Sequence, residues 1–226
     1  MDPLPRLAAL ARAEGLWFHV DAAWGGAAVL VPELQALLAG IEQADSIAFD
    51  AHKWLSVPMG AGMYLTRHVH ILEQTFDMEA SYMPREADHV DPYRHSLQWS
   101  RRFMGLKVLM SLAVAGWEGY AQALRHQTAV GEFLRTELTR YGWRVVNQTR
   151  LPLVCFVDGE HPDGGTLPYL EALARTVVAS GDAWISTTRL GGGRPVLRAC
   201  VTNYRTTEED VVRLVRRLEV SAGRGR

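Results

Sequence analysis

Residues 49–55, FDAHKWL, set the problem that this chain poses. They place Lys53 directly behind a histidine, after the segment Asp45 to Asp50, DSIAFD, whose apolar residues have the texture of a buried strand. A lysine charge is strongly hydrated and costly to bury, so a lysine at such a point needs a partner or a task. The composition sharpens the question, because lysine occurs only at positions 53 and 107 and every other basic residue is arginine.

Upstream, Leu4, Leu7, Leu10 and Ala11 follow helical spacing and Gly15 supplies a stop. LWFHV then reads as a strand ending at Asp21, a turn follows at Gly25 and Gly26, and Pro32 opens a helix through ELQALLAGI. A strand, a crossover and a parallel strand together need about 30 residues. Asp21 and Lys53 are 32 positions apart (53 − 21). Both are therefore expected at one C-terminal edge of a parallel sheet, where open α/β proteins place their ligands.

Downstream, GAGMYLTR (60–67) predicts a strand and HVHILEQTF (68–76) a short helix. Residues 79–100 predict a long loop, a feature often tied to function. The pattern from Arg101 to Tyr141 is helical, with breaks expected at Gly116 and Gly119. Beyond Gly142 the texture changes to short strands around two helices, the last announced by Thr206 and Glu209 as a capping box. GGGR (191–194) reads as a turn rather than a phosphate cradle, since no helix follows it, and SAGRGR reads as a frayed tail. The fold class expected is α/β, with 1–141 as part of a large mixed or parallel-sheet domain and 142–226 as a small α+β domain.

The 226 residues carry 24 basic and 25 acidic side chains, so no basic field invites nucleic acid or an anionic membrane, and a small molecule is the expected partner. The apolar run from Val108 to Trp117 is too short to cross a bilayer, and the N-terminal pattern, with Arg6 and Arg12 inside it, does not look like a secretory signal. A cytoplasmic location is the expectation. Cys155 and Cys200, each in a strand pattern, read as reduced core thiols.

HVDAAWGG (19–26) and DAHKWL (50–55) together have the chemistry that pyridoxal 5'-phosphate requires: an amine to form an imine with its aldehyde, and a carboxylate to keep its pyridine nitrogen protonated. Ala23 is small enough for a flat ring to lie against, and His52 is placed to meet the phosphate or pack near the imine. Lys53 must lose its proton to react, which burial near other cations would promote. The pairs His19 with Asp21 and Asp50 with His52 also form a metal-ligand inventory, but Lys53 would put a cation beside the ion, so no metal is expected.

With ADSIAFDAHKW (44–54), LQWSRRFMGLKV (97–108) and LRACVTNYRTTEEDV (197–211) added, the chain resembles the group II pyridoxal-phosphate-dependent amino-acid decarboxylases, the relatives of glutamate and aromatic-L-amino-acid decarboxylase. The resemblance runs from about Asp2 to the last helix and covers only the C-terminal half of such an enzyme. It implies a partial type I transferase fold and loss of an L-amino acid's α-carboxylate as CO2. It makes Lys53 the Schiff-base lysine, Asp21 the pyridinium partner, Ala23 a ring-face contact and His52 a cofactor neighbour. Tyr93, in DPYRHSLQW, is the candidate loop tyrosine that delivers a proton, with Tyr82 nearby as an alternative.

Arg101 and Arg102 are expected to open a helix and either bind a carboxylate or pair across a dimer interface. Arg198 is a candidate for the substrate carboxylate, or an ordinary strand arginine. Asp50 stands where this family usually has Asn. The missing half would carry the phosphate-cradling turn, so weak or absent activity is expected of this chain alone, with a second copy or a separate N-terminal half as partner. An aminotransferase or lyase of the same cofactor, and a non-catalytic fragment, are the alternatives.

Overall fold

Leu4, Ala8 and Ala11 form the buried stripe of helix α1 (Leu4–Ala13), and Gly15 ends it in a left-handed conformation with φ of 62°. The computed structural model describes residues 1–78, Tyr82 and 91–225. Their contacts divide into two compact units, one of residues Asp2–Gly26 and Ala36–Val114, the other of Ala27–Gln35 and Ala115–Arg226 with Met1.

In the first unit, strand β1 (His19–Asp21) pairs in parallel with β2 (Ser46–Asp50), which pairs antiparallel with β3 (Gly62–Thr66). The register sets Asp21 opposite Ala48 and Asp50 opposite Gly62. Phe18, Val20 and Ala22 bury against α1 and Ala44. The crossover is not the single helix that its spacing predicts. Helix α2 (Pro32–Gln35) gives way to 3-10 turns at Ala36–Leu38 and Ile41–Gln43. Gly40 separates the two 3-10 turns: its φ is 94°, and a Cβ there would lie 2.8 Å from the Pro5 backbone. A short helix, α3 (Ile71–Phe76), follows β3 as expected. Of the long loop, residues 79–81 and 83–90 lie outside the described residues, and Pro92–His95 form a 3-10 turn.

Helix α4 (Met104–Arg140) begins after Arg101 and Arg102, so these two precede the helix rather than open it. Of its two expected breaks only Gly116 is real, with φ of 64° and ψ of 175°, while Gly119 stays helical. The second unit holds a four-stranded antiparallel sheet in the order β4 (Trp143–Val145), β5 (Leu153–Asp158), β7 (Arg194–Cys200), β6 (Ser186–Leu190). Leu134 and Leu138 of α4, Leu170 and Val177 of α5 (Leu167–Ala179) and Leu218 of α6 (Glu208–Ser221) pack with Trp143, Phe156 and Leu197 of the sheet. The GGGR segment is the turn between β6 and β7. The mixed first sheet and antiparallel second sheet make an α/β protein, as the sequence predicts.

The capping box lies one residue later than its sequence signal. Thr206 N donates to Asn203 O at 3.0 Å and closes the preceding turn, so Thr207 caps α6 and the Asp210 carboxylate accepts from Thr207 N at 2.8 Å. Both cysteines are free, and burial pushes the Cys155 thiol up and that of Cys200 to about 11. No helix among the described residues is long and apolar enough to cross a membrane.

The tail is not frayed as far as Arg224. Its guanidinium donates to both oxygens of Asp158 at 2.8 and 2.9 Å and to Glu219 at 2.9 Å, and lies 5.0 Å from the Trp143 ring. Glu219 also accepts from Trp143 Nε1 at 2.8 Å, and Asp158 from the Tyr169 hydroxyl at 2.6 Å. The side chains of Asp158 and Glu219 are 0% and 1% exposed against 14% for Arg224, so one cation offsets two buried carboxylates.

Replacing Arg224 by Ala leaves those carboxylates without their cation and should cost about 3–5 kcal/mol, read as a lower urea midpoint for the second unit. Burial pushes Asp158 up, but Arg224, Tyr169 and the Glu160 amide outweigh it and hold the carboxyl below its usual range. A depressed folded-state value adds stability above the unfolded value and loses it as the pH falls. Stability from this cluster should therefore hold from neutral pH to about pH 4 and drop below it, and the drop should shrink in Asp158→Asn.

Candidate functional site

The parallel pairing of β1 and β2 continues past the strand ends. Ala22 N donates to Ala48 O and Asp50 N to Ala23 O, each at 3.0 Å, which fixes where both chains leave the sheet. Asp21 ends β1 with an exposed side chain whose Oδ1 accepts from Ala23 N at 3.0 Å, so a local turn orients the carboxylate. Gly26 lies over β2, where a Cβ would come 2.7 Å from the Phe49 ring.

After β2 the chain makes a tight turn. Lys53 N donates to Asp50 O at 3.0 Å, Ala51 N to Ala61 O at 2.9 Å and Val57 N to Ala51 O at 3.1 Å. Ala51, Trp54, Leu55 and Val57 are buried, and Ser56 takes a left-handed φ of 56°. The alternation leaves Lys53 pointing outward. Its Nζ pairs with Asp50 Oδ2 at 2.8 Å, with the lysine side chain 42% exposed and the aspartate 23%. The sequence predicts a buried lysine promoted by neighbouring cations; the structure instead gives a half-exposed lysine held by a carboxylate, because the apolar neighbours fill the turn's inner face.

Trp54 stacks on Trp24 with ring centroids 4.7 Å apart and planes 10° from parallel, so the residue after Ala23 braces the residue after Lys53. His52 Nδ1 is buried with no hydrogen-bond partner, as are the indole nitrogens of Trp24 and Trp54. Orphaned buried nitrogens carry a desolvation cost that an added polar partner would relieve. Asp21, His52 and Lys53 thus offer an acid, an unsatisfied ring nitrogen and an amine at one sheet edge, a donor set that fits the pyridine, phosphate and aldehyde groups of pyridoxal 5'-phosphate.

The other candidates stand differently. Tyr93 lies in the Pro92–His95 turn with its ring tilted against Trp99 at 5.3 Å. Arg94 anchors that turn by ion pairs to Glu73 and Asp77, and Arg101 donates to Pro92 O at 3.3 Å. No described contact joins Tyr93 to Lys53 or Asp21, and Tyr82 is exposed. Arg102 is also exposed. Arg198 belongs to β7 in the second compact unit, opposite Cys155 and Ser186.

His19 Nδ1 is engaged with Ser46 Oγ at 2.7 Å, an oxygen that also accepts from Trp17 Nε1 at 2.8 Å. Among the described residues no group of three or more His, Cys, Asp or Glu could hold a metal ion. The tryptophan pair and the Lys53–Asp50 contact are the features of the candidate site that the sequence did not reveal. Their only signals were a Trp directly after each motif residue and an acid three positions before the lysine.

Because Trp54 is buried and stacked, Trp54→Ala should cost about 3–5 kcal/mol in urea unfolding of the first unit. Trp54→Phe, which keeps a ring against Trp24, should cost clearly less.

Comparison with known proteins gives the chain its family. Residues 1–158 match the pyridoxal-dependent decarboxylase conserved domain. An aromatic-L-amino-acid decarboxylase of Bacillus atrophaeus is 32% identical over 230 residues, covering 98% of this chain and 48% of that protein. Mouse CSAD superposes with a TM-score of 0.88 at 27% identity, over 98% of this chain and 49% of its own. Oryza sativa TDC, solved with PLP and tryptamine, gives 0.88 at 25% identity over 99% and 48%. The chain spans about half the length of the relatives it matches, and its fold is the corresponding part of the type I pyridoxal-phosphate enzyme architecture. By its own residues and by these likenesses, the chain belongs to the pyridoxal-dependent decarboxylase family.

Proposed function

We propose that this chain supplies the lysine-bearing part of a pyridoxal 5'-phosphate site that decarboxylates an L-amino acid. The observation that carries the reading is the common sheet edge of Asp21 and Lys53, tied by the Ala22–Ala48 and Asp50–Ala23 hydrogen bonds. In this reading Lys53 would hold the aldehyde end of the cofactor, Asp21 would pair with its ring nitrogen, Ala23 would leave room for its flat ring, and His52 Nδ1, buried without a partner, would gain a polar one. When bound, the cofactor supplies a sink for the electron pair left behind as the carboxylate departs as CO2.

The chain's own residues do the rest. The turn at Ala23 aims the Asp21 carboxylate, and the Trp24–Trp54 stack holds the Lys53 turn against the exit of β1. Tyr93 is the proposed proton donor to the substrate carbon, and Arg198 the proposed contact for the substrate carboxylate. Further contacts are proposed to come from a second copy of the chain or from an N-terminal half of the kind that the relatives carry. We assign residues 1–141 to the large cofactor-binding domain, 142–226 to the small domain, and the protein to the cytoplasm.

The test is CO2 release from a panel of L-amino acids by the chain with pyridoxal phosphate, alone and with the N-terminal half of a relative as a separate polypeptide. Lys53→Ala should reduce release to background, and Asp21→Asn should lower it by about 10²–10³-fold, the size expected for loss of a preorganised electrostatic contact. Keto-acid formation without CO2 would favour an aminotransferase, and release that survives Lys53→Ala would overturn the reading.

A further inference from the structure

The ion pair at the lysine is built rather than incidental. Asp50 is fixed on every side: its N donates to Ala23 O, its carbonyl accepts from Lys53 N, and it sits opposite Gly62 in the β2–β3 register. Its Oδ1 occupies the space beside Gly62, where a Cβ would come within 3.1 Å. Only the four-carbon stem of Lys53 is free to move, and it places Nζ 2.8 Å from Asp50 Oδ2. A nitrogen engaged in this way is held toward a carboxylate and away from an incoming electrophile.

We propose that Asp50 is a positioning residue that restrains cofactor capture: it holds the Lys53 amine in the turn and must release it before the nitrogen can bond to carbon. This rests on Lys53 being the cofactor lysine. The capture step balances without further reagents. Lys53 Nζ gives one proton to solvent and bonds to the aldehyde carbon, and the aldehyde oxygen leaves as water with the two remaining amine hydrogens. Asp50 opposes that step twice, by occupying the nitrogen and by repelling an anionic phosphate group on the incoming aldehyde. An Asn at this position keeps the shape and loses both effects.

The chain contains its own control, because Lys107 is its one other lysine and its Nζ donates to a neutral acceptor, Met59 O, at 3.2 Å. Labelling at the two sites can be compared within one molecule by peptide mass spectrometry. In the first arm the amines are acetylated by an N-hydroxysuccinimide ester, which has no affinity for a cofactor site. The Lys53 to Lys107 ratio should rise about threefold in Asp50→Asn, as expected for loss of a partly exposed ion pair. It should also rise for the unaltered chain in about 1 M potassium chloride, where the screening length falls to roughly 3 Å.

In the second arm pyridoxal phosphate is added and then borohydride, which puts a hydride on the imine carbon while solvent protonates the nitrogen. The same variant should again label Lys53 faster. An unchanged ratio in the acetylation arm overturns the role of Asp50 whatever the second arm gives. A moving acetylation ratio with no preference of pyridoxal phosphate for Lys53 over Lys107 in either form overturns the cofactor reading instead. Should Asp50→Asn alter the Lys107 rate itself, Asp50→Ser and the salt comparison on the unaltered chain decide the same question.

Discussion

Parallel pairing of β1 with β2 is the constraint on which the rest of this site depends. A parallel pair sends both strands toward the same edge, and here the ladder runs on through Ala22 to Ala48 and Asp50 to Ala23. Had these strands been antiparallel, Asp21 and Lys53 would leave the sheet from opposite edges. The β3 strand adds the opposite sense at the other side of β2 and brings Gly62 against Asp50, where the lack of a side chain leaves room for the carboxylate.

The site divides labour between rigid and mobile groups. Backbone hydrogen bonds, the buried Ala51, Leu55 and Val57, and the Trp24–Trp54 stack hold the frame. Lys53 alone reaches out from it on a flexible stem. Such an arrangement suits an amine that changes partners during a reaction, because the frame need not move when the nitrogen does. The second unit solves a separate problem, closing its own core with the Arg224 clasp on Asp158 and Glu219.

Much of the fold was legible because its signals are local. The apolar texture of LWFHV and DSIAFD and the 32-position spacing (53 − 21) between acid and lysine carry the β1–crossover–β2 unit in the sequence itself, whereas Gly25 and Gly26, which read as a turn, open a 3-10 helix over Gly25–Leu30. What escaped was set by distant packing. Pro5 lies against Gly40 and leaves no room for a side chain there, Gly119 stays helical where Gly116 does not, and Arg224 is ordered by an acid 66 positions earlier in the chain. In the candidate site the motif residues were readable, while the lysine's exposure was not. Its apolar neighbours signalled burial, yet they fill the inner face of the turn and turn the amine outward toward Asp50. The surroundings of Tyr93, packed against Trp99, and of Arg198, in the antiparallel sheet, are set by tertiary packing that their local patterns do not encode.

In the proposed reading Asp21 and Lys53 serve one pyridine ring. Nitrogen NMR of the chain loaded with pyridoxal phosphate carrying 15N in its ring, with the N-terminal half of a relative present, tests it most directly. A protonated ring nitrogen in the unaltered chain that becomes unprotonated in Asp21→Asn is the predicted result. A ring nitrogen in the same protonation state in both proteins, with the cofactor attached at Lys53, would contradict the account.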